Sequence, residues 1–237
     1  MQKGILMTGT SPSLSTDIQQ HTPLQSLAMH LLPGVLIGAF YYAAVPFVRG
    51  WGYPTIFALN LAALFVLIPF EVGVLLYHKN RAGKEHAEPV IPYRQPLPWK
   101  QVLLWTAVIF LSSGLILTLL TPVSGYLQGF FSWIPERFQL EMGLDGSITR
   151  SKLILTTLSS FLLTVVAAPV VEEYYFRGFL LPRMPGKKTL GPLLHSFLFA
   201  LYHTWSPWLV VSRTLALLPL SYIARWKKNI LPAVIAH

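Results

Sequence analysis

The sequence predicts an all-α membrane protein, a polytopic helical bundle of about seven spans. Hydrophobic residues make up 53% of the chain and charged residues only 11%, and the mean hydropathy is +0.53. A soluble globular domain carries about 25% charged residues. The apolar residues also come in long blocks, which is typical of segments that cross a bilayer.

The positions of these blocks predict the spans, because a helix needs about 20 apolar residues to cross a bilayer. The predicted spans are 25–48, 53–77, 102–121, 153–171, 191–207, 208–224 and a final segment that begins at Ile230. Between the third and fourth spans, the aromatic-rich stretch 126–145 is mixed in polarity and predicts an interfacial amphipathic helix or a gate rather than a span. We therefore divide the chain into four regions. These are a flexible cytoplasmic tail (1–24), N-terminal membrane helices (25–122), an extracytoplasmic or interfacial segment (123–150) and a catalytic membrane core (151–237).

The charge distribution predicts the topology of the chain. The net charge is +9, but the basic residues lie in short loops between apolar blocks, which disfavours a nucleic-acid partner. Basic loops follow the second, fourth and sixth spans, whereas 123–150 is acidic on balance, so the positive-inside rule predicts a cytoplasmic N-terminus. We expect a multi-pass integral membrane protein, and its compact size favours a bacterial inner membrane. The chain has no cysteine, which excludes disulfides, thiolate nucleophiles and Cys-based metal sites.

Two adjacent carboxylates close the fourth span. In a helix, Glu173 and Arg177 lie four residues apart on one face, in the favoured order for an ion pair. Glu172 points about 100° away from that face, and a carboxylate without its own cation in an apolar place suits a general base. The spacing therefore predicts that Glu173 and Arg177 form a structural ion pair and that Glu172 takes part in catalysis. The alternative is that both glutamates are solvated at the membrane surface and help to end the helix.

Histidines within apolar segments are the second signal. His203 shares a helix face with Phe199, and His237 lies about 12 Å into the last apolar segment from its start. A neutral imidazole in such a place can act as a base, a hydrogen-bond donor or a metal ligand. Each of the two could instead be a packed histidine with an ordinary partner, and His237 a frayed chain end. His195, two turns before His203, is a weaker candidate and is expected near the interface.

Glu172, His203 and His237 come from three different spans and could meet in the core of a bundle. They would supply the ligand set of a His₂Glu hydrolytic zinc site, or a site that activates water without a metal. The sequence contains no HExxH, no Gly-x-Ser-x-Gly and no Ser/His/Asp pattern, so the usual zincin and serine-hydrolase layouts are excluded.

The order and spacing of these motifs resemble the CAAX protease and bacteriocin-processing (CPBP, or Abi) family of intramembrane endopeptidases. Glu172-Glu173-x-x-x-Arg177, Phe199-x-x-x-His203 and the late Asn…Pro…His237 carry the resemblance, which covers roughly 150–237. It implies that Glu172 activates the hydrolytic water, with help from His203. It also implies that Glu173 and Arg177 brace the site, with Phe199 in support, and that His237 stabilises the oxyanion.

The resemblance also implies a membrane-associated protein or peptide as substrate, and leaves a glutamic-type mechanism and a zinc-dependent one both open. The family pattern continues with Asn or Asp four residues after the last histidine, and eight residues from Ile230 cannot cross about 30 Å. We therefore expect a C-terminal truncation, and a catalytically impaired membrane scaffold or chaperone of the same fold is the alternative function. A transporter that uses Glu71 and Glu172 as proton-linked carboxylates is disfavoured, because no internal repeat is evident.

Overall fold

The computed structural model describes residues 18–85, 89–144, 146–185 and 189–237. Within these ranges the chain forms eight helices and no β-strand, which confirms the all-α prediction. Helix α2 joins Thr55–Ala62, the π-helical Ala63–Leu67 and Ile68–Glu85, and α5 runs over Arg150–Arg183 with two π-helical segments, Ser160–Ala167 and Glu173–Leu180. The remaining helices are α1 Pro23–Gly50, α3 Trp99–Leu119, α4 Thr121–Gly129, α6 Leu190–Tyr202, α7 Val210–Lys227 and α8 Leu231–Ala236.

Local sequence explains the ends of the bundle. The Thr22 hydroxyl accepts from the backbone N–H of Gln25 at 3.2 Å, and the Gln25 side chain accepts from the backbone N–H of Thr22 at 2.9 Å. This capping box satisfies two amide groups at the start of α1. At the other end of the chain, Lys228 adopts a left-handed conformation with φ 48° and stops α7. The first 17 residues of the predicted tail lie outside the described part.

Five helices in the described residues are long and apolar enough to cross a membrane, namely α1, α2, α3, α5 and α7. The predicted fifth span is shorter than expected, because α6 has 13 residues and ends at Tyr202. His203 follows with φ −77° and ψ 61°, which turns the chain out of the helix. The segment from Ile230 forms the six-residue helix α8.

The amphipathic helix expected over 126–145 is not formed as one helix in the described residues. Helix α4 ends at Gly129, and one 3-10 turn follows at Glu136–Phe138. Pro135 prevents one continuous helix through this segment, since proline lacks the amide proton that a helix needs and disfavours helical backbone in the residue before it. This segment folds back onto α1, where the Tyr41 hydroxyl donates to the Phe138 carbonyl at 2.9 Å.

Close helix packing brings α1 against α6. A Cβ on Gly34 would lie 2.1 Å from the backbone oxygen of Tyr202, so only glycine permits this approach. Helix α6 also packs on α7, and α3 packs on both α7 and α8. The centre of the bundle is aromatic, with fully buried Tyr41, Tyr175, Phe176, Phe179, Phe199 and Tyr202. The predicted site residues lie around this aromatic centre.

Candidate active site

The Glu172–Arg177 stretch lies where the character of helix α5 changes. The α-helical turn Ala168–Glu172 ends at Glu172, and the backbone is π-helical over Glu173–Leu180. Single π-helical turns are rare and often occur at functional sites. The predicted pair forms even though a π-helix has more residues per turn than an α-helix. Arg177 Nη1 donates to Glu173 Oε1 at 2.8 Å, and both side chains are fully buried. The pairing of Glu173 with Arg177 is thus confirmed.

Glu173 binds a second partner from the other end of the sequence. His237 Nδ1 lies 2.8 Å from Glu173 Oε1, the same oxygen that accepts from Arg177. The Arg177 guanidinium carbon lies 4.3 Å from the centroid of the Phe199 ring, a cation–π contact. A buried charge is tolerated when it is paired and hydrogen-bonded. Glu173 therefore both neutralises Arg177 and orients the imidazole of His237.

Glu172 makes different contacts from those of its neighbour. Its side chain is buried, with 6% of the residue exposed, and its Oε1 accepts from the Tyr202 hydroxyl at 3.0 Å. Its Oε2 lies 3.9 Å from His237 Nε2. Among the described residues no lysine or arginine forms an ion pair with Glu172. This agrees with the expectation that Glu172 lacks a permanent cation.

Tyr202 connects Glu172 to a third carboxyl group. Its hydroxyl lies 3.3 Å from Glu71 Oε1, and both Tyr202 and Glu71 are completely buried. The Glu71 carboxyl group therefore faces protein rather than lipid, as expected for an ionisable group within a membrane helix. Sequence reasoning gave Tyr202 no role, although it directly precedes His203. No sequence spacing could reveal its link to Glu71, because the two residues are 131 positions apart.

His203 lies just beyond the end of α6 and not inside a longer span. Its Nδ1 is 2.8 Å from the Phe199 carbonyl oxygen. Since a carbonyl can only accept, Nδ1 carries the proton, and in a neutral imidazole the lone pair is then on Nε2. The side chain is half-buried. No direct hydrogen bond or ion pair joins His203 to Glu172 in the described part of the chain.

A cavity beside these groups is bounded by α3, α6, α7 and α8. Its volume is about 310 Å³, within the range of small ligand sites. His203, His237, Phe199 and Arg213 line it together with apolar residues of α3 and α7. Arg213 was not predicted as a site residue, and its Nη1 donates to the backbone and side-chain oxygens of Ser206 at 3.3 and 2.9 Å. The cavity thus offers imidazole groups to a ligand within an apolar wall.

The fit of a metal ion is poor in this geometry. The described residues contain no group of three His, Asp or Glu side chains arranged to hold one. Glu173 is engaged by Arg177 and His237, while Glu172 is engaged by Tyr202. The predicted zinc ligands Glu172, His203 and His237 therefore lie in one region without forming a coordination shell.

His195 occupies a place that the sequence did not predict. Expected near the interface, it is fully buried, and its Nδ1 lies 2.9 Å from His30 Nε2. His30 Nδ1 lies 2.6 Å from the Ser26 carbonyl oxygen, so it carries the proton and Nε2 accepts from His195. This pair joins α1 to α6 at some remove from Glu172 and is assigned to packing.

In this helical bundle, carboxylates and imidazoles are buried beside an apolar cavity, and such groups can act as acids and bases in hydrolysis. The comparison with known families agrees with this chemistry. Residues 154–237 match the family described as "Rce1-like: Type II CAAX prenyl endopeptidase Rce1-like". The matched segment contains every predicted site residue, namely Glu172, Glu173, Arg177, Phe199, His203 and His237.

This segment is an Rce1-like domain of the CPBP family, and the resemblance seen in its motifs is confirmed there. No curated protein and no solved structure matches the chain. The family and the apolar helices indicate an integral membrane protein of the CAAX-protease type that acts on a peptide or protein. The match does not extend to α1–α4, which precede it in the chain.

Proposed function

We propose that the protein is an intramembrane endopeptidase that hydrolyses a peptide bond of a membrane-associated protein or peptide, with Glu172 as general base. The observation that carries this proposal is the buried network in which Glu172, Tyr202, His237 and Glu173 contact one another beside a cavity lined by His203. A carboxylate held in an enclosed, water-poor place is well suited to remove a proton from water.

The charges of the network balance when His237 is an imidazolium ion. Glu173 is paired with Arg177, and Glu172 lies 3.9 Å from His237 Nε2. With His237 protonated, two anions face two cations, which reduces the cost of burying them. Nδ1 then donates to Glu173, and Nε2 keeps a proton that it can donate to a substrate oxygen.

The reaction can be written with these groups alone. Glu172 takes a proton from a water molecule that also donates to His203 Nε2, and the hydroxide oxygen bonds to the carbonyl carbon of the substrate. The carbonyl π bond breaks, and the negative charge that forms on its oxygen is stabilised by the Nε2–H of His237. The Glu172 carboxylic acid returns its proton to the leaving amine when the carbon–nitrogen bond breaks. No step passes through a metal ion.

The substrate is proposed from the surroundings of the cavity. Apolar residues of α3 and α7 form most of its wall, which suits a lipid-anchored or apolar peptide. Glu172 lies about 16 Å along α5 from Arg183, at 1.5 Å per residue. With the basic loop after α5 in the cytoplasm, as the charge pattern predicts, the site opens to the cytoplasmic half of the bilayer. A prenylated peptide ending in a CAAX sequence is the first substrate to test.

The test is cleavage of a farnesylated CAAX peptide by the purified protein in lipid nanodiscs, followed by mass spectrometry of the products. Glu172→Gln and His203→Ala should each lose about 10²-fold to 10⁴-fold in rate, the range for a lost acid–base group. Glu141→Gln is the matched control, because Glu141 pairs with Arg49 at an exposed position away from the cavity. Full cleavage by both site variants contradicts the proposal.

Two further arms separate the alternatives. Dialysis against a chelator should leave the cleavage rate unchanged, and a loss that added zinc restores contradicts the metal-free mechanism. If the protein is an impaired scaffold, the wild type should cleave no peptide. The wild type and the Glu172→Gln variant should then bind the same partner. Either result is read against the amount of folded protein, measured by size-exclusion chromatography.

A further inference from the structure

Three side chains from three helices form a buried chain of oxygen atoms. Glu71 on α2, Tyr202 on α6 and Glu172 on α5 are joined at 3.3 and 3.0 Å through the tyrosine hydroxyl. The exposed fractions of the three residues are 0%, 0% and 6%. The family match covers Tyr202 and Glu172 but not Glu71. A carboxyl group from the N-terminal helices is thus connected to the proposed general base.

Counting protons shows how this chain must be arranged. A tyrosine hydroxyl has one proton, so it can donate a full hydrogen bond to only one of two carboxyl groups. If both were ionised, one carboxylate would be left without its donor in a place that excludes water, which is costly. If one carboxyl group carries a proton, it donates to the tyrosine oxygen, and both contacts become good hydrogen bonds.

The surroundings decide which carboxyl group is the neutral one. Glu172 has His237 Nε2 at 3.9 Å and the guanidinium of Arg177 in its field. Glu71 forms no ion pair among the described residues, and the groups in its field are Glu172, Glu173 and Tyr202. A buried carboxyl group that faces two carboxylates and no cation is stable only when neutral. The proton therefore lies on Glu71.

We infer that Glu71 is a positioning residue for the endopeptidase reaction: its neutral carboxyl group donates to the Tyr202 hydroxyl, which in turn donates to the carboxylate of Glu172 and fixes its orientation. The inference rests on the proposed function of Glu172. A hydrogen bond strengthens its neighbour in such a chain, because each donor is polarised by the next one. Glu71 is not among the residues that line the cavity, so it acts through Tyr202.

The position of Glu71 is hard to explain by packing alone. Helix α2 is apolar around it and would pack with a leucine there at no electrostatic cost. A buried carboxyl group in a membrane span is expensive and is retained where it has a use. The Tyr202 hydroxyl would have a hydrogen-bond partner in Glu172 even without Glu71. Glu71 therefore polarises this hydroxyl and fixes its orientation, which the fold itself does not require.

Kinetics of the full-length protein test this role. Glu71→Gln keeps a neutral donor at the same place, so its kcat should stay close to that of the wild type. Glu71→Leu and Tyr202→Phe should each lose about 10-fold to 100-fold in kcat with little change in KM, the effect of a lost hydrogen bond to a charged group. The double variant should be no slower than Tyr202→Phe, because both changes break one chain.

Leu67→Ala is the matched control, since Leu67 is a buried residue one turn earlier on α2. It should lower thermal stability and leave kcat unchanged. A Gln variant as slow as the Leu variant, unchanged kcat in the Leu variant, or losses that multiply in the double variant would each overturn the inference. So would a loss of kcat in Leu67→Ala equal to that in Glu71→Leu, because the effect would then be purely structural.

Infrared spectroscopy provides a readout that does not depend on cleavage. The wild-type protein in nanodiscs should show the carbonyl stretch of a protonated carboxylic acid, and Glu71→Gln should remove it. The band should shift in Tyr202→Phe, because its hydrogen-bond partner is lost. Absence of the band in the wild type overturns the neutral Glu71. A band that behaves as expected in a protein that cleaves no peptide supports the hydrogen-bond chain and contradicts the proposed endopeptidase instead.

Discussion

Helices α3 and α5 reach nearly the same peak hydropathy, but the side chains of α3 and those at the end of α5 have completely different surroundings. The best windows of the two helices have mean hydropathies of 2.2 and 2.1. In α3 only Val102 and Ile109 are buried, and large apolar side chains such as Leu111 and Phe110 are exposed by 68% and 64%. At the end of α5, by contrast, Tyr175, Phe176, Phe179, Leu180 and Leu181 are completely buried.

The difference shows that hydropathy identifies a membrane helix without identifying its neighbours. Most of the surface of α3 is free for lipid, so its side chains need only be apolar. The end of α5 is surrounded by protein, and there the polar groups Glu173 and Arg177 are held by partners from other helices. Lipid offers no such partners, so chemistry is confined to the enclosed helix.

Removing the buried cation should be the most damaging change. Arg177→Met removes one of the two cations that face Glu172 and Glu173 and leaves one buried carboxylate without a compensating charge, and such a change costs about 3–5 kcal/mol. We expect a matching drop in the free energy of unfolding, measured with denaturant in detergent micelles. In α3, Lys100→Met should be nearly neutral, because Lys100 is an exposed residue in the first turn. Equal effects of the two changes would contradict the contrast.

Substitution of one phenylalanine on each helix compares the packing of α5 with that of α3. Phe179 is fully buried, whereas Phe110 is 64% exposed. Phe179→Ala should cost about 3–5 kcal/mol through lost contacts and a cavity, and Phe110→Ala should cost far less in a lipid environment. Thermal unfolding of both variants in the same nanodiscs gives the comparison. If Phe110→Ala proves as destabilising as Phe179→Ala, then α3 is covered by protein.

Substitution of two glycines compares the close contact between α1 and α6 with the open surface of α3. Gly34→Ala places a methyl group 2.1 Å from the Tyr202 backbone oxygen and should cost about 1–3 kcal/mol by overpacking. Gly114 on α3 has nothing within 4 Å of an added Cβ, so Gly114→Ala should be neutral or stabilising by up to about 1 kcal/mol through helix propensity. Differential scanning fluorimetry measures both shifts. A stable Gly34→Ala variant would show that α1 and α6 can separate without loss.

The smallest effect concerns pH at the end of α5. Burial, together with nearby Arg183 and His78, lowers the pKa of His21 from 6.5 to about 4. Because the folded pKa lies below the unfolded one, protonation favours unfolding. The contribution of His21 to stability is therefore constant above pH 6.5 and decreases as the pH falls from 6.5 towards 4.

The ring of His21 lies against Phe179 at a centroid distance of 5.8 Å. His21→Phe keeps an aromatic ring at that contact and removes the titration, so its melting temperature should decrease less than that of the wild type between pH 7 and 5. Parallel slopes in the two proteins would contradict this assignment to His21.

Part of the candidate site could be predicted from the sequence, because its motifs join residues only a few positions apart. The pairing of Glu173 with Arg177 depends on a four-residue spacing, and a helix of either α or π type keeps such residues adjacent. The early end of α6 and the absence of one continuous helix in the described part of 126–145 were missed, because proline, glycine and a turn at His203 override an apolar pattern. Window-based reasoning detects composition and does not detect where a chain turns.

Hydropathy and helical periodicity are properties of neighbouring residues, so the sequence alone identifies a helical membrane protein with carboxylates and histidines inside apolar segments. The contacts of Glu173 with His237, and of Tyr202 with Glu71 and Glu172, are visible only in the folded structure. These contacts join residues separated by 64, 131 and 30 positions. They form because separate helices pack around one aromatic core, and no spacing along the chain encodes that packing.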